Sequence, residues 1–526
     1  MAEPGHPEPF GSSYSSSDKQ ARREGVLIMQ QRLLDDMQAK GIDLAATLEI
    51  LADLNSGTWK GPGNVTATGV PTVDGTSIVP LTAHMSYELS EDVATERLEA
   101  LGIGIPKATI RQDGRLKFKR GELVDIGEYL YGITAWGVLN GGSATSYADR
   151  KKNAALGPAV FEAIREGFEL LAPLCEGKPK GITPAYINPD GSPGESFLVL
   201  KMRAALLRSA RYVQRFGMGD RPPLPFFQMS SQGTDSALAQ AYEGYASHPW
   251  LAGLIAETGS DPTKPRSAVQ TMLAALSHSS EGQPRRIFDR AWGKTDSALA
   301  LPGGHGQSFR VLAGVYRDLL ADGYRYAYLG NVDNIGYYPD PAELAVMALS
   351  GAEAGFEFSY RTPVDVKGGI LVTTAEGRRT VADLGQAISF DQAARLEASG
   401  QQILFNCATG LFDLTALVPE LDRIARNLPV RISDQDKDTG KYSQAEQSTW
   451  EVVGLLDSPL GFAVEKRERF LAAKLLAETV MASGTRDTQA FPADLRAAAM
   501  TLSSGLAMIL GGPCGLKLVN EHWISS

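Results

Sequence analysis

Residues 301–334 read LPGGHGQSFRVLAGVYRDLLADGYRYAYLGNVDN, and this stretch decides the fold. Pro302, Gly303, Gly304, His305 and Gly306 form a tight loop that keeps side chains out of the way of a flat ligand. Apolar residues at helical spacing from Val311 to Leu320 predict a helix. Tyr324 to Leu329 then predicts a buried strand running into Gly330-Asn331-Val332-Asp333-Asn334. Open α/β sheets bind ligands outside the C-terminal ends of their strands, and Asp333 stands at such an end. Taken alone, it reads equally well as a solvated turn residue.

The alternation continues upstream. Tyr131 to Leu139 is a strand candidate leading into Asn140-Gly141-Gly142-Ser143-Ala144-Thr145-Ser146. Glycines after a strand let backbone N–H groups wrap a phosphate chain, although a plain turn has the same signature. An amphipathic helix is expected from Ala154 to Leu174, followed by Lys178-Pro179-Lys180-Gly181. Its two lysines suit phosphates or merely water. Phe226 to Ser231 predicts a strand and Asp235 to Tyr245 a helix. Gln270-Thr271-Met272-Leu273 lies in a mixed stretch.

Downstream, strands are expected at Phe356 to Tyr360, which carries Glu357, at Ile370 to Thr373 after Asp365-Val366-Lys367-Gly368-Gly369, and at Ile403 to Asn406. Arg467 to Lys474 is basic and half apolar. The chain from Leu475 reads as helix, with an apolar segment, Leu502 to Leu510, suited to docking or dimerisation. On this reading residues 1–20 are a disordered tail, 21–130 an N-terminal mostly helical region, 131–475 the catalytic domain and 476–526 a C-terminal helical tail. The predicted class is α/β, with a mixed, mostly parallel sheet flanked by helices.

The 526 residues are 43% hydrophobic and 21% charged, with a net charge of −10, which argues against a broad nucleic-acid or membrane footprint. Neither a signal-like N-terminus nor an apolar run of spanning length is present. Cys175, Cys407 and Cys514 are too far apart for a disulfide or zinc pattern, so reduced thiols and a cytoplasmic location are expected. The six histidines are scattered too, so any metal is expected on oxygen ligands, as magnesium is.

In order and wording these segments resemble the UDP-sugar pyrophosphorylases, the UTP:sugar-1-phosphate uridylyltransferases, over roughly residues 120–475. Pro302 to Gly306, Asn331 to Asn334 and Asp365 to Gly369 are most similar to the UDP-glucose branch. Gln270 to Leu273 and Lys178 to Gly181 are similar to the UDP-N-acetylglucosamine branch. The resemblance implies a nucleotide-diphosphosugar transferase (glycosyltransferase-A-like, Rossmann-like) fold. It also implies UTP and a sugar-1-phosphate, with glucose-1-phosphate first, as substrates, and magnesium as cofactor.

Carried over position by position, it implies that Asn140, Gly141, Gly142 and Thr145 hold UTP, with Lys180 against the β- and γ-phosphates. Gln270 and the Gly304 backbone would read the uracil edge and Met229 would line the base pocket. Asp333 would hold the metal. His305, Asn331, Glu357 and Asn406 would surround the sugar and its phosphate, and Lys474, supported by Lys367, would sit between the sugar phosphate and the α-phosphate.

Three departures from the family pattern matter. Ala144 replaces a glycine, at a cost on the order of 1 kcal/mol if the position needs φ > 0. Lys180 stands 38 positions beyond Gly142, which leaves Lys151 or Lys152 as rivals for the phosphate role. The 52 residues after Lys474 show no hexapeptide repeat of the β-helix type. A UDP-N-acetylglucosamine or broad UDP-sugar pyrophosphorylase and, second, a poorly active UTP- or UDP-sugar-binding protein are the alternatives these features leave open.

Overall fold

The computed structural model describes residues 31–59, 65, 67–362, 365, 368–484 and 491–525. These fall into two compact units. The smaller is built from the described residues of 31–59, 271–304 and 429–447, and the larger from those of 65–270, 305–428 and 448–525. Contacts, rather than order along the chain, define this division.

The larger unit is organised on a ten-stranded sheet. Its strands in chain order are β1 (Ile78–Pro80), β2 (Thr134–Leu139), β3 (Phe226–Ser231), β4 (Arg266–Gln270), β5 (Tyr326–Asn331), β6 (Ala354–Tyr360), β7 (Gly369–Thr373), β8 (Arg379–Asp383), β9 (Leu404–Asp413) and β10 (Leu460–Val464). The spatial order is β1-β10-β6-β9-β5-β2-β3-β4, with β7 joining β9 to β8. β5, β2, β3 and β4 are mutually parallel, while β9 runs against β5 and β6. All six residues of β2 and of β3 are buried, as expected of parallel strands covered on both faces.

Five helices carry most of the cover: α1 (Pro158–Cys175), α2 (Phe197–Phe216), α3 (Asp235–Tyr245), α4 (Ala313–Ala321) and α5 (Pro341–Ser350). Their ends are written in the sequence. Ser196 caps α2 by accepting from the Val199 N–H at 3.3 Å. Asp340 caps α5 ahead of Pro341, and Gly351 closes it in the left-handed conformation.

The chain moves outward from β2 through β3 and β4, then returns to place β5 on the other side of β2. The strand order therefore reverses between β2 and β5, and the crevice outside their C-terminal ends is where such a sheet binds ligands.

Several expected elements shift. The strand expected from Tyr324 begins at Tyr326, and the one expected at Ile403 to Asn406 continues to Asp413. The helix expected from Ala154 to Leu174 is two, Arg150–Ala154 and α1, separated at Gly157, whose φ is 116°. Within the region expected to be mostly helical, Ser86–Ser90, Ile110–Gln112 and Arg115–Lys119 form a three-stranded sheet. The tail is helical through α6 (Ala493–Gly511) but ends in a hairpin, Leu516–Val519 with His522–Ser525. Residues 1–30, including the expected disordered tail, lie outside the described residues.

The smaller unit has helices Gln31–Ala39 and Leu44–Ser56, and a long hairpin, Val430–Lys437 with Gly440–Gln447, that pairs with Leu276–Ser277. Gly304 belongs to it. At φ 79°, a Cβ there would stand 2.3 Å from the Gln447 carbonyl oxygen, so only glycine fits.

Candidate functional site at the β2–β5 crevice

The loop after β2 is fixed first. The Asn140 N–H donates to the Met229 carbonyl at 2.8 Å, and the Ser231 hydroxyl donates to the Gly141 carbonyl at 2.8 Å. The rest of the loop docks on Lys178-Pro179-Lys180. Ala144 N–H donates to the Lys178 carbonyl at 2.8 Å, Lys180 N–H donates to the Gly142 carbonyl at 3.0 Å, and Ser143 bridges Pro179. The 38 intervening positions therefore loop out through α1 and return Lys180 to the glycines. Lys151 and Lys152 are exposed, and Lys152 is bonded to the Ser146 hydroxyl at 2.7 Å. Gly141, Gly142 and Ala144 all keep negative φ, so the replacement of glycine by Ala144 carries no left-handed strain.

Asp333 sits across the crevice, past the end of β5. Lys180 Nζ lies 2.7 Å from its Oδ2 and also donates to the Ala473 carbonyl, with the Tyr147 ring centroid 4.6 Å away. Lys474 Nζ is 3.7 Å from the same Oδ2. The Asp333 and Lys180 side chains are 10% and 11% exposed, whereas that of Lys474 is 63% exposed. Burial alone would raise the Asp333 pKa. The charges of Lys474 and Lys180, with Lys201 behind, outweigh it and hold the carboxyl well below its usual range.

Its other oxygen, Oδ1, is buried and without a hydrogen-bond partner. A carboxylate oxygen left open in this way fits a divalent cation. Among the described residues no three His, Cys, Asp or Glu groups cluster as a metal site. Magnesium would therefore share one protein carboxylate with phosphate oxygens, its usual mode with nucleotides.

Lys474 reaches Asp333 on a strap, residues 469–474, that is hydrogen-bonded to the turn after β5. Ala473 N–H donates to the Asp333 carbonyl at 3.2 Å, Ile335 N–H to the Leu471 carbonyl at 3.2 Å, and Leu471 N–H to Asn334 Oδ1 at 3.0 Å. Asn334 Nδ2 donates to the Arg469 carbonyl at 3.0 Å. A Cβ on Gly336 would lie 2.5 Å from the Arg469 carbonyl carbon, so the two backbones pack directly.

The remaining predicted residues divide. Asn140 and Asn331 end β2 and β5 at adjacent register, Leu139 pairing with Asn331. Asn140 is fully buried, its Nδ2 donating to Gln228 at 3.0 Å. Thr145 is exposed in the same loop, 3.2 Å from the Ser143 hydroxyl. Gln270 is 6% exposed at the end of β4, and its Nε2 donates to Gln307 Oε1 at 2.7 Å. His305 Nδ1 accepts the Thr449 N–H at 3.0 Å, which leaves the ring proton of the neutral imidazole on Nε2. Asn406 Oδ1 accepts from the Ala408 N–H at 3.0 Å at an irregularity in β9.

Two of the expected site residues are buried. Met229 packs in the core with Leu139, Phe227 and Phe309. Glu357, expected beside the sugar phosphate, is fully buried and ion-paired to Arg469. Gly304 falls in the smaller unit. Lys367 lies outside the described residues.

Three buried residues escaped the sequence reading. Lys201, on α2, is 3% exposed and donates to the carbonyls of Asn334 at 2.6 Å and Tyr337 at 3.1 Å. Burial brings its pKa down to about 7, against the supporting charge of Asp333. Arg469 and Glu343 complete a buried cluster with Glu357. Lys201 and Glu343 are each a charge inside an apolar run, FLVLKMRAALL or PAELAVMAL, and that interruption is the signal that could have found them; Arg469 ends the charged run EKRER and carries no such signal.

Residues 285–487 match the family model described as UTP–glucose-1-phosphate uridylyltransferase. The matched span holds the Asp333 turn, the Lys474 strap and the Arg469 cluster. Over this span, less than half of its length, the chain is similar to that uridylyltransferase family. A probable UTP–glucose-1-phosphate uridylyltransferase from Schizosaccharomyces pombe is 30% identical over 183 residues, 34% of this chain and 31% of that protein. The UTP–glucose-1-phosphate uridylyltransferase of Astragalus penduliflorus is 26% identical over 191 residues, 36% of this chain and 40% of the relative. The aligned part thus spans about a third of those relatives. Family likeness in the fold extends further. A UDP-glucose phosphorylase structure from Trypanosoma brucei covers 86% of this chain and 77% of its own at TM-score 0.53 and 19% identity. A variant UDP-glucose pyrophosphorylase from Leishmania major, bound to UDP-glucose, covers 86% and 78% at TM-score 0.52 and 18% identity.

Proposed function

We propose that this chain is a UTP:glucose-1-phosphate uridylyltransferase, forming UDP-glucose and pyrophosphate. One observation carries the reading. Lys180 and Lys474 converge on a buried carboxylate with one unpaired oxygen at the strand-order reversal, and Asp333 and Lys474 lie inside the segment that matches the uridylyltransferase family model.

The chemistry needs little more. A sugar-1-phosphate is already an anionic nucleophile, so no general base is required. Its oxygen forms a bond to the α-phosphorus of UTP as the bond to the β-phosphate oxygen breaks and pyrophosphate leaves. The obstacle is repulsion between two anions, which fixed cations relieve, together with alignment of the attacking oxygen. The loop from Asn140 to Thr145 cradles the triphosphate, and Lys180, held against Gly142, faces its leaving end. Lys474 neutralises the two phosphates that approach each other. Asp333 is the residue that would hold magnesium, which would add positive charge beside the phosphates.

Pyrophosphate release from the purified protein with UTP, magnesium and a panel of sugar-1-phosphates tests this. Release is expected with glucose-1-phosphate well above N-acetylglucosamine-1-phosphate. Preference for the N-acetyl sugar would overturn the choice of sugar, and UTP binding without release would overturn the enzyme reading.

A further inference from the structure

We infer that Arg469, locked between Glu357 and Glu343 beneath the sheet edge, is a positioning residue that sets the strap carrying Lys474; this rests on the uridylyltransferase reading for its kinetic consequence. Lys474 is the exposed member of the lysine pair, on a long flexible side chain. Its placement has to come from its backbone.

That backbone is fixed at both ends of a short path. At the far end, the Asp333 and Asn334 bonds to Ala473 and Leu471 zip the strap to the turn after β5. At the near end, Arg469 Nε donates to Glu357 Oε1 at 3.0 Å, its Nη2 donates to the same oxygen and to the Tyr338 carbonyl at 2.8 Å, and Glu343 Oε2 lies 3.9 Å away. The guanidinium also lies over the Tyr338 ring at 4.1 Å.

Arg469, Glu357 and Glu343 side chains are 5%, 0% and 0% exposed, so this anchor has no solvent to compete with it. Glu357 projects from β6 and Glu343 from α5, which are fixed parts of the scaffold. The planar guanidinium can set two N–H groups on one Glu357 oxygen while lying over the Tyr338 ring, whereas a lysine ammonium would keep the charge and lose the geometry. Between the anchor and Lys474 lie Phe470, Leu471, Ala472 and Ala473, and a shift of about 1 Å in such a support costs about a hundredfold in rate.

The test uses the whole protein with Arg469→Lys, the isosteric Glu357→Gln, Lys474→Ala and the double variant Arg469→Lys/Lys474→Ala. Amide exchange over residues 470–475 is read beside kcat and KM. Arg469→Lys and Glu357→Gln are expected to speed exchange in that segment while β2 and β5 stay protected. They should lower kcat about 10- to 100-fold with the KM for UTP within about threefold. In the Lys474→Ala background the same Arg469→Lys change should cost less than about threefold, because its effect runs through Lys474.

Unchanged exchange in both anchor variants overturns the inference whether or not the enzyme turns over. Additive losses in the double variant also overturn it. Faster exchange in a wild-type-folded protein that releases no pyrophosphate supports the anchor and overturns the uridylyltransferase reading instead.

Discussion

Two buried carboxylates in the larger unit, Asp333 and Glu357, are driven in opposite directions. For both, burial favours the neutral acid. At Asp333 the charges of Lys474, Lys180 and Lys201 win, and the group stays ionised well below its usual range. At Glu357 the pKa is raised, because burial, with the Asp340 charge, outweighs the Arg469 guanidinium and the hydrogen bond to Glu343. The first centre has more cations than anions and one open oxygen, as a polyanion site requires. The second has more acids than bases and is sealed, which suits a structural anchor. The surroundings, rather than the residue type, separate a ligand site from a scaffold.

The largest effect is expected from Lys180→Met, which removes the buried partner of Asp333. It should lower stability by about 3 kcal/mol, as breaking a buried ion pair does, and abolish turnover. Chemical denaturation read beside pyrophosphate release checks this. A fully stable Lys180→Met protein would show that Lys474 and Lys201 alone can hold the Asp333 charge.

Lys474→Ala should separate activity from stability. Because its ammonium is largely exposed, the melting temperature should be unchanged, while kcat falls about 100- to 1,000-fold, equivalent to about 3–4 kcal/mol of transition-state stabilisation. Near-normal turnover would remove Lys474 from the mechanism.

The contrast also predicts a pH signature. Asp333 has a depressed folded pKa, so its stabilisation is complete above the unfolded value near 3.8 and is lost as pH falls towards the folded one. Glu343 has a raised pKa, first from burial and then from the Glu357 charge, with Arg469 opposing and Asp340 adding. Between its unfolded value near 4.5 and its folded value, the native state holds the extra proton, so this group makes stability decline as pH rises. Glu343→Gln, a permanent mimic of the neutral acid, should therefore raise the melting temperature relative to wild type more at pH 8 than at pH 5. A pH-independent difference would show that Glu343 is ionised in the fold.

The contrast was only half legible in the sequence. The strand-end rule and the βα alternation located Asn140, Asn331 and Asp333 on one edge, because parallel strands with turn residues at their ends leave a local pattern. The pocket of Glu343, Glu357 and Arg469 left only the charge inside PAELAVMAL, since its members come from a helix, a strand and a short turn far apart in sequence. A motif likeness placed Glu357 at the sugar, while its burial follows from the packing of β6 between β9 and β10. The hairpin Val430–Lys437 with Gly440–Gln447 went unread for another reason. Beyond Val430-Arg431-Ile432, SDQDK and GKYSQAEQ show no sustained apolar alternation, so the hairpin advertises little of a buried face. The closeness of Lys180 to Gly142 was hidden because the chain between them carries a whole helix.

The smallest effect is expected from Ala144→Gly, and it sharpens the account of the Asp333 side. If the loop from Asn140 to Thr145 works by shape, restoring the glycine of the family pattern should quicken catalysis. If its task is to hold Lys180 near Asp333 through backbone bonds already made at negative φ, the methyl is only a buried packing group. Ala144 is 0% exposed and its N–H is bonded to Lys178. Glycine there should cost about 1 kcal/mol of stability through backbone entropy and a small void, and leave kcat/KM within about twofold. A tenfold gain in kcat/KM would mean that the loop adopts a left-handed turn during catalysis, and that backbone shape, not the lysine pair alone, limits the charged side of the comparison.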